Sequence, residues 1–281
     1  MPDFFITKII DILHQNKVYY IHICAKGLKS RKMRESKRIG LLDEIRGFAI
    51  ICMVVYHFMF SLDNFYDVNV PIFFESWFDI IRNIFAGTFI FISGCVCRFS
   101  RNNLKRGVQC FFLGMVITYV VAFAQPSFPI HFGILHLLGI SMIIFALTER
   151  FFEAVPPLIG IILFAFLFLV FQNVKNGYIG FEGLFSITMP DDLYKAGVLF
   201  PLGFTNPAVS YSDYFPLLPW FCLFAAGSFF GVYAKENALP RWFYKTRVKF
   251  LAATGRYTIW IYMLHQPIII AILNIFYNER T

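Results

Sequence analysis

Two apolar segments of the chain carry side chains that could do chemistry. Residues 38–58 read RIGLLDEIRGFAIICMVVYHF, and residues 255–267 read GRYTIWIYMLHQP. In a helix that turns about 100° per residue, Asp43, Arg46 and His57 fall within about 60° of one another. A charge or an imidazole inside hydrocarbon is costly and needs a partner. This polar stripe is therefore expected to face the protein interior or a water-filled cavity.

Three histidines on three predicted spans lie at similar depths. At about 1.5 Å per helical residue, His57 lies ~24 Å, His265 ~21 Å and His136 ~22 Å from the side of the N-terminus. Similar depth is necessary for these side chains to meet. An imidazole there is suited to act as general base on a hydroxyl or an amine, because it titrates near neutral pH. A structural histidine that is bonded to a backbone carbonyl is the alternative at each position.

The histidines are not expected to bind a metal ion, because no carboxylate or cysteine obviously completes a set of ligands. Asp213 is a candidate for orienting a histidine, as a carboxylate does in many catalytic pairs; an ordinary loop aspartate is the alternative. It belongs to the longest non-spanning segment, residues 173–216, which is expected to be a lid or a binding element. The apolar residues 193–204 in that segment predict a re-entrant helix, a surface helix or the start of an eighth span.

Arginines near one end of the spans are candidates for binding a phosphate-rich ligand. Arg46 can pair with Asp43 one turn away, and its forked guanidinium suits a phosphate. A basic rim follows the second span and comprises Arg98, Arg101, Lys105 and Arg106. A structural ion pair and the usual placement of basic residues at the cytoplasmic face are the alternatives. Ser93 and Gly94 are expected to let helices pack tightly, and Gly47, beside Arg46, is expected to permit a close approach to the backbone.

The composition indicates a membrane protein. Of the 281 residues, 58% are hydrophobic and only 15% are charged, and a soluble domain of this length cannot bury that much apolar surface. We predict an all-α, polytopic membrane helical bundle with seven spans, or eight if residues 193–204 cross. The predicted spans cover about residues 41–61, 80–98, 107–124, 133–149, 156–172, 217–234 and 251–274.

The distribution of Lys and Arg predicts the orientation. Nineteen flank the spans on the side of the N-terminus and three on the other side, so the N-terminus is expected in the cytoplasm and the C-terminus outside. Topology and anionic lipid explain the net charge of +8, and nucleic acid is not an expected partner. Residues 1–37 are predicted to form a basic, interfacial arm, unless Met33 is the true start. No cleavable signal peptide is predicted.

Four motifs follow one another along the chain: LLDEIRGFAIICMVVYHF, FIFISG, FGILHLLG and GRYTIWIYMLHQP. Together they resemble the bacterial branch of the heparan-alpha-glucosaminide N-acetyltransferase catalytic-domain family, within a wider group of transmembrane acyltransferases that includes sugar O-acyltransferases. The resemblance covers about residues 38–275. It implies a helical bundle that takes acetyl groups from cytoplasmic acetyl-CoA and delivers them to an acceptor, often a sugar, across the membrane.

The resemblance also implies roles for individual residues. In the related O-acyltransferases, a first-span histidine after an Arg-Gly-like turn is the expected catalytic base. His57 matches that histidine, and Arg46 matches the arginine of the turn. The lysosomal branch places its proposed catalytic histidine in the first luminal loop, but residues 62–79 contain no histidine. The resemblance therefore leaves His57 or His265 as the base, and the lysosomal substrate does not transfer to this chain.

The leading hypothesis is a membrane acyltransferase of a bacterial plasma membrane. Its donor is acetyl-CoA, and its acceptor is a hydroxyl or amine of a carbohydrate or glycan, reached directly or through an acetyl-histidine. The alternative is a small-solute transporter or lipid-binding membrane protein whose ionisable residues line a path, for which inverted repeats would be expected; no repeat is convincing. The lipid bilayer is the other expected partner, and homo-oligomerisation is left open. The residues expected to bind acetyl-CoA are Arg46, Asp43, Arg98, Arg101 and Arg106.

Overall fold

The structure, a computed structural model, describes residues 38–66, 68–209 and 212–277. The predicted interfacial arm, residues 1–37, lies outside the described residues. The described chain forms ten α-helices and one β-hairpin. The helices are α1 (Gly40–Phe65), α2 (Ser76–Cys97), α3 (Asn103–Ala124), α4 (Ile134–Leu147), α5 (Glu149–Ala154), α6 (Pro157–Val170), α7 (Asp191–Lys195), α8 (Leu217–Lys235), α9 (Lys249–Arg256) and α10 (Thr258–Tyr277). The strands are β1 (Tyr178–Phe181) and β2 (Phe185–Thr188), which pair antiparallel.

Six stretches of the described residues are long and apolar enough to cross a bilayer. They are Gly40–Phe65, Trp77–Cys97, Asn103–Ala124, Pro157–Asn176, Leu217–Lys235 and Thr258–Tyr277. Each of these stretches corresponds to a predicted span, and the predicted all-α polytopic membrane bundle is confirmed. The chain is an integral membrane protein.

Two predicted spans differ from the structure. The fourth, residues 133–149, is the 14-residue helix α4, whose length of about 21 Å is less than the ~30 Å hydrocarbon core of a bilayer. Nine residues of α4 are buried, so neighbouring helices surround it. The seventh, residues 251–274, is two helices, because the backbone at Tyr257 leaves the helical conformation. At this break the Thr258 hydroxyl donates to the carbonyl of Gly255 over 2.7 Å.

The long loop, residues 173–216, folds into short elements. It contains the β-hairpin, the five-residue helix α7 and two turns of 3₁₀ helix, at Val174–Asn176 and Phe200–Leu202. The apolar residues 193–204 therefore hold only the end of α7 and the second of these turns. The structure excludes an eighth span within them.

Glycines bring two pairs of helices into backbone contact. A Cβ at Gly47 of α1 would lie 1.9 Å from the carbonyl oxygen of Leu251 in α9, and a Cβ at Gly255 would lie 1.9 Å from that of Asp43. A Cβ at Gly94 of α2 would lie 1.9 Å from a carbonyl oxygen of α8. The close approach predicted at Gly47 and Gly94 is confirmed, since any side chain there would push the helices apart.

A buried glutamate fixes the start of α9. Glu44 of α1 accepts hydrogen bonds from the backbone N–H groups of Arg247 and Val248, the latter over 2.8 Å. A carboxylate at a helix N-terminus satisfies free N–H groups and complements the helix dipole. This contact and the glycine packing hold α9 against α1 and thereby place Arg256, at the end of α9, next to the first span.

Candidate functional site

One cavity of about 360 Å³ lies inside the bundle. Side chains of α1, α2, α3, α4, α9 and α10 line it, together with the end of the long loop. Its lining changes from one end to the other. Arginines line one end (Arg46, Arg106 and Arg256) and polar groups line the other (Tyr56, His57, Arg82, Asp213 and Tyr262), while apolar side chains that include Ile50, Phe89 and Leu138 line the rest.

The arginine end is the part of the cavity lined by Arg46, Arg106 and Arg256, which come from three different helices. No carboxylate among the described residues lines this end. Arg46 donates from Nη1 to the carbonyl of Gly255 over a long 3.4 Å, and its buried Nε has no hydrogen-bond partner among the described residues. A cluster of like charges with an unsatisfied donor suits an anion, and guanidinium groups match the geometry of phosphate.

The histidine end is the part lined by His57, Arg82, Asp213 and their neighbours. The rings of His57 and His265 lie 4.9 Å apart between centroids, so these two of the three histidines predicted at similar depth meet. His265 Nδ1 lies 2.6 Å from the carbonyl oxygen of Tyr262. Because a carbonyl only accepts, Nδ1 carries the proton, and the neutral ring has its lone pair on Nε2. This Nε2 is buried and has no partner among the described residues.

Asp213 reaches the histidine end from the long loop, but it contacts a tyrosine and not a histidine. Its Oδ2 accepts a hydrogen bond from the Tyr262 hydroxyl over 3.1 Å. Burial raises the pKa of Asp213 to about 6, although the Tyr262 bond and the charge of Arg82 oppose the shift. The carboxylate is therefore ionised at neutral pH. Tyr262 thus holds two groups, Asp213 through its hydroxyl and His265 through its carbonyl.

Arg82 projects into the histidine end from the second turn of α2. Its Nη1 donates to the Tyr56 hydroxyl over 3.1 Å and lies 3.1 Å from Oδ1 of Asp79. The guanidinium also lies 5.6 Å from the centroid of the Tyr56 ring, where a cation is attracted to the aromatic face. The positive charge of Arg82 acts on both Asp213 and His57.

The two ends of the cavity are separated by apolar side chains. Arg46 and His57 are eleven residues apart on α1, which corresponds to about 16 Å along the helix axis. A ligand with one anionic end and a long uncharged arm therefore matches the cavity.

Two residues predicted to bind an anionic ligand do not line the cavity. Asp43 pairs with Arg38, with Oδ2 and Nε 2.6 Å apart; its charge acts on Arg46, but none of the ion pairs between described residues joins the two. Arg101 is exposed on the surface. Of the predicted basic rim, Arg106 lines the cavity.

Arg98 also lies away from the cavity, because its donors are already used. Its guanidinium is buried and donates to the carbonyl oxygens of Ser228 and Phe152 over 3.0 and 3.2 Å. It also packs on aromatic rings, 5.1 Å from the centroid of Phe145. These contacts join α2, α8 and α5, so Arg98 is structural in this fold.

His136 lies apart from the other two histidines. Its Nδ1 accepts a hydrogen bond from the N–H of Gly133 over 3.3 Å at the start of α4, and its ring stacks on Phe132. No contact within the described part of the chain joins it to His57 or His265. Its ring is thus held at the start of α4 by a backbone N–H and not by a carbonyl, and its buried Nε2 has no hydrogen-bond partner among the described residues. In the same part of the chain, no group of three or more His, Cys, Asp and Glu side chains could hold a metal ion.

Sequence analysis did not single out four polar residues of the cavity, Tyr56, Arg82, Arg256 and Tyr262. Arg82 and Arg256 lie inside the predicted spans 80–98 and 251–274, and an ionisable residue inside a span is the signal that singled out Arg46. Tyr262 gives no comparable signal, because its part in the site depends on Asp213, which is distant in the chain.

The fold defines an integral membrane protein of the all-α class, with a site inside the bundle. A sequence model of the family "Heparan-alpha-glucosaminide N-acetyltransferase, catalytic" matches residues 38–267, and the chain belongs to this family. Membership implies a membrane transferase activity. No curated protein and no solved structure matches the chain.

Proposed function

We propose that the protein transfers an acetyl group from cytoplasmic acetyl-CoA to a hydroxyl or an amine of an extracytoplasmic sugar or glycan. The observation that supports this proposal is a single cavity that joins three arginines to a histidine. Membership of a transferase family supports the class of reaction. The positive-inside rule supports a cytoplasmic position for the arginine end.

The arginine end fits the phosphates of CoA. Arg106 and Arg256 are exposed, whereas Arg46 is partly buried and has an unsatisfied Nε. Arg106 and Arg256 would hold phosphates at the opening, and Arg46 would complete its hydrogen bonds deeper inside. Acetyl-CoA supplies an acetyl thioester at the far end of an uncharged arm, which suits the apolar lining of the cavity.

His57 is assigned the role of general base at the histidine end. It accepts the proton of the acceptor hydroxyl or amine as that group bonds to the carbonyl carbon of the thioester. The C–S bond breaks, and its electron pair leaves on the CoA sulfur, which takes up a proton. General base catalysis by a positioned imidazole contributes about 10²–10⁴-fold. His265 packs on His57 from α10 and is itself held by Tyr262.

Membrane vesicles that contain the full chain test this proposal. Radiolabelled acetyl-CoA is supplied together with envelope glycan from the source cell, and the label in the glycan is counted. We expect transfer by the wild type and a loss of transfer in vesicles with His57→Ala at equal protein levels. An absence of transfer by the wild type would contradict the proposed function.

A further inference from the structure

Opposite charges line the histidine end without pairing with each other. Arg82 pairs with Asp79, and Asp213 accepts a hydrogen bond from Tyr262. The charge of Arg82 acts on Asp213, but none of the ion pairs between described residues joins the two. Both side chains line the cavity. A ligand in this part of the cavity can therefore accept hydrogen bonds from Arg82 and donate one to Asp213.

The backbone conformation of Asp213 and the hydrogen bonds of its flanking residues hold the Asp213 carboxylate in position. Asp213 has a φ of 45°, a left-handed conformation that is costly for a residue with a side chain and persists where the surroundings impose it. The flanking N–H groups of Ser212 and Phe215 each donate to a carbonyl of the segment 129–132 over 3.1 Å. The carboxylate also lies over Gly133, where a Cβ would come within 3.2 Å of Oδ2.

We propose that Arg82 and Asp213 bind two adjacent hydroxyl groups of a neutral sugar, and that the protein forms O-acetyl esters and not amides. This inference rests on the proposed acetyl transfer and specifies its acceptor. A hydroxyl group donates one hydrogen bond and accepts others. A vicinal diol can thus donate to Asp213 while it accepts from Arg82.

An amine acceptor fits the same pair of residues poorly. An ammonium group has donors only, so it offers nothing to the guanidinium of Arg82 and is repelled by it. The opposite charge of Asp213 favours the protonated amine, which has no lone pair with which to attack a thioester. A hydroxyl group, by contrast, stays neutral beside Arg82 and Asp213 and keeps the lone pair with which it attacks the thioester.

The reaction balances with an alcohol as acceptor. The acceptor oxygen gives its proton to His57 and bonds to the acetyl carbonyl carbon. The C–S bond of the thioester breaks, and the electron pair leaves on the CoA sulfur, which takes up a proton. The products are a sugar acetyl ester and free CoA.

The chemical stability of the product tests the inference. Vesicles that contain the full chain are incubated with radiolabelled acetyl-CoA and envelope glycan, protein is removed, and the labelled glycan is treated with mild alkali. Esters are cleaved under these conditions and amides survive, so we expect the label to be released. Label that survives alkali would overturn the inference and leave the proposed function standing. An absence of label in the wild-type product would contradict the proposed function itself.

Variants of the subsite provide a second test. Tyr262→Phe removes the hydroxyl that holds Asp213 but keeps the ring and the carbonyl that holds His265. We expect its KM for the glycan to rise about 2- to 10-fold, the loss that corresponds to one hydrogen bond, with the KM for acetyl-CoA unchanged. Arg82→Gln should raise the same KM, and Arg82→Lys should restore part of the loss.

Tyr257→Phe is the matched control, because Tyr257 is exposed and does not line the cavity. We expect this variant to behave as the wild type. Equal changes in both KM values of Tyr262→Phe, or no change in either, would show that Tyr262 and Asp213 do not bind the acceptor.

Discussion

The arginine end and the histidine end of the cavity are held together in different ways. At the arginine end, charges of one sign meet because helices touch backbone to backbone at Gly47 and Gly255. At the histidine end, side chains carry charges of both signs, and hydrogen bonds from Tyr262 hold Asp213 through its hydroxyl and His265 through its carbonyl. The first end therefore has no carboxylate in its lining among the described residues and leaves room for an anionic ligand, whereas the second already positions its polar groups.

This contrast predicts which measurements respond to each end. A change at the arginine end should weaken binding of the donor and leave the reaction of bound donor nearly intact. A change at the histidine end should slow transfer and leave binding of the donor intact. If variants at either end changed donor binding and acetyl transfer together, the two ends would not have separate roles.

The largest expected effect is that of His57→Ala. If His57 is the general base, acetyl transfer should fall about 10²–10⁴-fold, while acetyl-CoA should still stabilise the detergent-solubilised protein. The retained binding follows from the distance of about 16 Å between His57 and Arg46 along α1. Initial rates of glycan labelling and thermal unfolding with and without acetyl-CoA provide the two readouts.

His131→Ala is the control for His57→Ala, because His131 is exposed and does not line the cavity. It should transfer acetyl groups at the wild-type rate. Full activity of His57→Ala together with loss of activity in His265→Ala would move the base to α10 and leave the class of reaction unchanged.

Arg46→Ala should have the next largest effect, this time on donor binding. A hydrogen bond to a charged group contributes about 1.5–3 kcal/mol, so the Kd for acetyl-CoA should rise about 10- to 100-fold. In the wild type, acetyl-CoA at about a hundred times its Kd should add about 2.7 kcal/mol to the free energy of unfolding. Thermal unfolding over a series of acetyl-CoA concentrations measures both quantities.

Arg101→Ala is the matched control for Arg46→Ala, since Arg101 is an exposed arginine outside the cavity. Its Kd for acetyl-CoA should equal that of the wild type. The same Kd for both variants, or a loss of stability in Arg46→Ala without weaker binding, would mean that Arg46 is structural.

Gly47→Ala tests whether backbone contact builds the arginine end. The added Cβ would lie 1.9 Å from the carbonyl oxygen of Leu251, so α9 must move away and take Arg256 with it. Overpacking of this kind costs about 1–3 kcal/mol, and the affinity for acetyl-CoA should fall with stability. Gly87→Ala is the control, because a Cβ there meets only side chains, at 3.1 Å or more. Equal melting temperatures for the two variants would contradict this account.

The sequence predicts the features that depend on local pattern. Apolar length identifies the six long spans, and helical spacing places Arg46 and His57 on one face. Depth makes a meeting of His57, His265 and His136 possible, but does not predict that only His57 and His265 meet. The predictions of the spans and of this face succeed because the bilayer fixes the length of a span and the helix fixes its periodicity. Gly94 is likewise predicted to lie where helices pack tightly, and it contacts the backbone of α8.

The features that the sequence does not predict depend on contacts between distant segments. Asp213 contacts Tyr262 and not a histidine, because the loop that carries it is bonded to residues 129–132. Arg98 follows the second span in the sequence, as Arg101 and Arg106 do, but aromatic rings and carbonyl groups of other helices surround its side chain. Helix α4 is shorter than the predicted span and is buried among neighbouring helices. The apolar character of its sequence does not reveal this burial.

The smallest expected effect concerns the charge of Asp213 at the histidine end. Burial raises its pKa from an ordinary value of 3.8 to about 6, so between these values the folded protein holds a proton that the unfolded chain has lost. The free energy of unfolding should therefore fall as pH rises through this range. Asp213→Asn removes the titration but can still accept from the Tyr262 hydroxyl, so the variant should gain stability relative to the wild type as pH rises. Melting temperatures in detergent from about pH 4 to pH 7 measure this difference, with Asp192→Asn in the exposed pair with Lys195 as the control. A difference between Asp213→Asn and the wild type that is independent of pH would show that this carboxylate is well solvated, and the histidine end would then not hold a buried charge.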